Sequence, residues 1–75
     1  MKTKKGFMAI IEKSDDGWYV GQLEEMPEVL SQGKTIVELM NNLADALALF
    51  LEVQREETLK NYKGRKIIKR RLTIA

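Results

Sequence analysis

The chain contains no cysteine and no histidine. The first absence removes disulfides and thiolate metal sites, and the second removes the usual proton shuttle and zinc ligand. Most nucleophile and metal chemistry drops out with them. Proline occurs once, at position 27, and tryptophan once, at position 18. Long apolar runs are also missing: Phe7 to Ile11 meets Glu12 and Lys13, too soon for the apolar stretch of a signal peptide behind the basic Met1-Lys2-Thr3-Lys4-Lys5 leader. Further on, Asp45 and Glu52 interrupt what would otherwise be an apolar helix. The expectation is a cytoplasmic protein with no membrane segment. Its 75 residues predict one domain over 1–75, near the lower limit of independent stability, for which oligomerisation is a natural remedy.

Acids are absent from one end of the chain. Lys60 to Ala75 holds seven bases (Lys60, Lys63, Arg65, Lys66, Lys69, Arg70, Arg71) and no carboxylate. Ile11 to Glu38 holds seven acids (Glu12, Asp15, Asp16, Glu24, Glu25, Glu28, Glu38) against Lys13 and Lys34. The net charge of +2 therefore conceals two surfaces of opposite sign.

What is present reads as an extended first third joined to a helix. Gly6 to Lys13 has the content of a strand that is apolar on both faces. Ser14-Asp15-Asp16-Gly17 is a hairpin signal, its Asp-Gly pair supplying positive φ, and Trp18 to Glu24 returns as the second strand. Pro27 ends regular pairing, and Val29 to Gln32 suffices for a short third strand. Gly33 permits a change of direction. Thr35 and Glu38 then form a capping box, in which the threonine oxygen accepts the Glu38 N–H and the glutamate returns to the threonine N–H.

From Ile36 to about Glu57, the spacing of Ile36, Met40, Leu43, Leu47 and Phe50 marks a helical stripe, flanked by further apolar residues over more than half the circumference. That arc is wider than one small sheet covers, so part of it should meet a second molecule. Gly64 is the expected break, and Arg65 to Ile74 returns to period two as a final strand with a basic face. The predicted fold is α+β: a small antiparallel sheet of three to four strands packed on one long helix, in the order β-β-β-α-β. Its bare side or a free strand edge should be closed by a homodimer contact.

The order Asp16-Gly17, Glu25 and Pro27, Ser31-x-Gly33-x-Thr35, then Glu38, Asn42 and Ala46 resembles the HicB family of bacterial antitoxins over Phe7 to about Leu51. Glu28 stands where that family often carries glycine, and the chain leaves no room for the separate DNA-binding domain that many members add. The resemblance implies a partial RNase-H-like fold that acts by binding, covering a small basic toxin of the HicA type that cleaves messenger RNA. The candidate partner-binding residues are Trp18, Glu24, Glu25 and Glu28, whose charge suits a basic RNA site.

No enzyme, metal site or cofactor is expected, because the acids cluster at a turn and a loop while Ala9 and Ile10 occupy the middle of the first strand. An alternative reading, less favoured, makes the chain a small nucleic-acid binder acting through Lys69, Arg70 and Arg71. Those bases lack interleaved aromatic stacking positions.

Overall fold

The computed structural model describes residues 6–73. Three strands, β1 (Ala9–Lys13), β2 (Tyr19–Leu23) and β3 (Leu30–Gly33), precede one helix, α1 (Ile36–Asn61). The sheet is antiparallel with β2 in the middle. Its register sets Ile11 opposite Gly21 and Gly21 opposite Ser31, so one row crosses all three strands. The α+β architecture is the one expected from the sequence pattern.

The first hairpin closes through a hydrogen bond from the Gly17 N–H to the Ser14 carbonyl (3.0 Å) and one from the Ser14 N–H to the Trp18 carbonyl (2.7 Å). Only Gly17 takes positive φ, at 92°, and Asp16 does not. This fits a three-residue loop, a turn followed by one left-handed glycine, rather than a two-residue Asp-Gly turn. The second connection is a turn over Met26-Pro27-Glu28-Val29, closed by Val29 N–H to Met26 C=O at 2.9 Å. Proline presets the second position of such a turn. Glu28 is not at positive φ, so a side chain is accommodated there without strain.

Thr35 caps α1: its hydroxyl oxygen accepts the Glu38 N–H at 3.0 Å. The Glu38 carboxylate, however, accepts the Lys34 N–H at 2.7 Å, one residue earlier than a standard capping box. Gly33 serves a different purpose from the one its position suggested. It has no positive φ; instead, a Cβ there would lie 2.7 Å from the Leu39 nitrogen and 3.0 Å from the Leu39 Cα. Gly33 is bare so that the first turn of α1 can press against the end of β3.

The core is Leu23, Val29, Leu39 and Leu43, with Ala9, Ile11, Tyr19, Met26, Ala46, Leu47 and Phe50 packed around it. The buried stripe of α1 is therefore Leu39, Leu43, Ala46, Leu47 and Phe50. Ile36 and Met40, expected inside, are 49% and 45% exposed. At 100° per residue the helix is turned by about 35° from the expected phase. Asn42 helps to fix that phase, donating from Nδ2 to the Gln32 carbonyl on the outer edge of β3 at 2.8 Å.

The final strand expected over Arg65 to Ile74 is not found among the described residues: residues 66–73 belong to no helix or strand, and Ile74 lies outside the described residues. The helix runs to Asn61, longer than expected, before Tyr62 caps it and Gly64 turns the chain at φ 82°. Residues 51–73 are all exposed. The alternating pattern was present, but the sheet packs on α1 only as far as Phe50, so the helix carries the start of this segment eleven residues past it. No helix among the described residues is long and apolar enough to cross a membrane.

Candidate functional site

Strand alternation gives the sheet a second face, turned away from α1, carrying Ile10 and Glu12 from β1, Val20 and Gln22 from β2, and Leu30 and Gln32 from β3. Among the described residues nothing covers it. Ile10 is 53% exposed and Leu30 60%. Ile10 and Leu30 flank Gln22 in one row and Val20 stands in the next, so the three form a bent apolar band, and Ile10, Glu12, Val20, Gln22 and Leu30 outline a shallow depression on this face.

Carboxylates stand at both ends of this face. Asp15 and Asp16 occupy the first hairpin, whereas Glu24, Glu25 and Glu28 occupy the loop at the opposite end. All five are exposed. At the hairpin end, the Ser14 hydroxyl and the Trp18 N–H both donate to Asp16 Oδ1. These donors, the serine first, hold the Asp16 carboxyl below the ordinary carboxylate range. Asp16 therefore keeps its charge to lower pH than a free aspartate.

Trp18 is half-buried beside the hairpin, with Lys34 Nζ 5.4 Å from the centre of its ring. A cation at that distance favours the electron-rich face of the indole. Lys34 went unnoticed in the sequence pattern; its signal was cross-strand, since Gly33 pairs with Tyr19 and the residues following and preceding them meet. Trp18 does not join the glutamates. Six residues of strand, about 20 Å, separate it from Glu24.

Within the loop, the three glutamates differ. Glu25 accepts the Met8 N–H with both carboxylate oxygens, at 3.0 and 3.3 Å, and so anchors the entry to β1. Glu24 and Glu28 point to solvent. Gln22 steadies the loop, donating from Nε2 to the Pro27 carbonyl at 2.9 Å. Among the described residues no group of three carboxylates converges as a metal ion would require.

Lys69, Arg70 and Arg71 lie far from this face. With Ile68 and Leu72 they form one wall of a groove of about 1030 Å³, whose other wall is Leu51, Gln54, Thr58 and Tyr62 of α1 and its cap. Arg55 adds a further positive charge there.

Among proteins of similar sequence, a UPF0150 protein of Synechocystis sp. is 36% identical over 62 residues, covering 83% of this chain and 90% of its own length. The chain belongs to the UPF0150 family. A second UPF0150 protein, from Archaeoglobus fulgidus, is 39% identical over 49 residues, covering 65% of this chain and 71% of its own length. A third, from Thermoplasma acidophilum, is 32% identical over 54 residues, with coverage of 72% and 78%. No family model matches the chain, and no solved structure does. The UPF0150 assignment thus spans most of the sheet-and-helix unit, and the chemistry of the site rests on its own geometry.

Proposed function

We propose that this UPF0150 protein is an antitoxin-like interaction module of the HicB type. It binds a small, basic, messenger-RNA-cleaving toxin of the HicA type in the cytoplasm, masks its RNA-binding surface, and works as a homo-oligomer of at least two copies. One observation carries the reading: an uncovered sheet face with an apolar band and exposed carboxylates at both ends. A basic protein surface is attracted to such ends at long range, and apolar contact in the middle then holds it. The order of Asp16-Gly17, Pro27, Ser31, Gly33, Thr35 and Asn42 supports the HicB likeness. Asn42 has a physical reason to belong to it, because it ties α1 to β3.

The test mixes the purified chain with the small basic protein encoded beside its gene. A complex in size-exclusion chromatography with light scattering, together with suppressed RNA cleavage, is the expected result. Replacing Glu24→Lys with Glu28→Lys should weaken the complex at least tenfold and make the residual binding less sensitive to salt. Glu25 is left alone because its change would also release Met8. No complex and undiminished cleavage would remove the proposal. Salt-sensitive binding to RNA or DNA that vanishes with Lys69→Ala, Arg70→Ala and Arg71→Ala would instead favour the nucleic-acid reading, which the basic groove beside α1 supports.

A further inference from the structure

The chain is too extended for its length. Its radius of gyration is 16.3 Å, against about 11 Å for a compact chain of this size. Its accessible surface is 6950 Å², whereas a compact protein of 8.6 kDa exposes roughly 4,700 Å². The excess of roughly 2,200 Å² per chain exceeds the roughly 800 Å² that each partner buries in a standard interface. Much apolar surface is left in water at one place: Ile68 and Leu72 are 87% and 88% exposed in the unpaired segment after Gly64.

That segment keeps the pattern of a strand, and among the described residues the sheet has a free edge to receive one. The bonds from Ser14 N–H to Trp18 C=O and from Glu24 N–H to Met8 C=O put the even-numbered residues of β1 in register toward β2. Alternation then turns the backbone N–H and C=O groups of Ala9, Ile11 and Lys13 outward. The opposite edge is less free, since the Gln32 carbonyl is already taken by Asn42.

We infer that residues 65–73 form a fourth strand in trans, pairing with the outer edge of β1 in a second copy of the chain, and that the exchange is reciprocal. Within one chain only the end of the segment reaches the sheet. α1 runs eleven residues past Phe50, the last helical residue packed on the sheet, or about 16 Å. Nine extended residues return at most about 30 Å, leaving only about four of them level with the sheet. Across a two-fold axis the whole segment is available, and reciprocal pairing closes the assembly at two copies.

Charge favours the same pairing. β1 is flanked by Asp15 and Asp16 at one end and by Glu24 and Glu25 at the other, where Met8 bonds to both Glu24 and Glu25. The segment carries Arg65 and Lys66 before its apolar pair and Lys69, Arg70 and Arg71 after it. Lys66 and Arg71 are five residues apart, the length of β1. Pairing of two such segments with each other is disfavoured, because it would set bases opposite bases.

The inference rests on the fold and not on the toxin reading, and its test contains no toxin. Sedimentation of the full chain should show a dimer at micromolar to submillimolar concentration. Lys69→Pro and Arg70→Pro, made separately, lie at opposite parity, so one of them removes a ladder N–H whatever the register. At least one should raise the dimer dissociation constant tenfold or more, beyond the effect of Lys69→Gln or Arg70→Gln, with the circular dichroism of the helix retained. Hydrogen exchange gives the second readout: the Ile11 and Lys13 amides should be slowed at least tenfold in the dimer and released in that proline variant. A chain monomeric at 200 micromolar overturns the inference, as do proline variants that both dimerise like their glutamine controls. Ile11 and Lys13 amides that exchange at the free-peptide rate in the dimer overturn it as well.

Discussion

Replacing Gly33→Ala isolates the contact that seats α1 on the sheet. The added methyl carbon would sit 2.7 Å from the Leu39 nitrogen, 3.0 Å from the Leu39 Cα and 3.1 Å from the Glu38 carbonyl carbon. All three obstacles are backbone, so no rotamer change relieves them. The shortfall from ordinary contact at 3.4 Å is 0.7 Å. It must be met by moving the first turn of α1, which is held by the Thr35 cap at 3.0 Å and by the bond from Leu39 N–H to Thr35 C=O at 2.9 Å.

Overpacking of this kind costs about 1–3 kcal/mol, and a backbone clash belongs at the upper end. The loss of unfolded-state freedom on going from glycine to alanine returns about 0.4–1 kcal/mol. A net loss of about 2 kcal/mol follows from these two. Against a total stability of about 4–11 kcal/mol for a chain of this length, that is a large fraction. It corresponds to a fall in melting temperature of about 8–16 °C. Urea unfolding at one fixed protein concentration is the assay, because association adds to apparent stability.

Gly21→Ala provides the comparison. Its new carbon would meet only Leu39 and Leu43 methyl groups, at 3.0 to 3.3 Å, which can shift. Its loss should be about half as large. Gly6→Ala, with nothing within 4 Å, should be near neutral. A Gly33→Ala variant within about 0.5 kcal/mol of the parent, the scale of an ordinary surface substitution, or less damaged than Gly21→Ala, would refute the close-approach argument.

Thr35→Ala removes the oxygen that accepts the Glu38 N–H and should cost about 1 kcal/mol in urea unfolding, with Thr35→Asp restoring most of it. Asp16 titrates below the ordinary carboxylate range because it accepts from Ser14 and Trp18. Its contribution to folding is therefore present above the unfolded carboxylate pKa and lost as pH falls through the lower folded value. Asp16→Asn should flatten the acid side of the stability profile, and a carboxyl NMR titration that places Asp16 at or above the other aspartates would contradict this.

Local chemistry made much of the fold legible. Asp-Gly, Pro27 and the Thr35 to Glu38 spacing each impose a turn or a cap within a few residues, and the structure has all three. The phase of α1 was less accessible because apolar residues cover more than half the helix, so hydrophobicity alone does not choose a face. Gly21 and Gly33 choose it by making room for Leu39, and Asn42 holds it through Gln32. These are cross-element contacts that periodicity within the helix does not contain. The last strand failed for a related reason: alternation in Arg65 to Thr73 reports a capacity to pair, not the presence of an edge within reach. At the candidate site, the acids were visible in the sequence, but their division between two ends of the sheet required the strand register.

The far portion of α1 is a cantilever. Leu51 to Asn61 has no sheet beneath it. These residues only prolong a helix already nucleated on the sheet, so this end frays first, and a neighbour that grips the overhang supplies the packing it lacks.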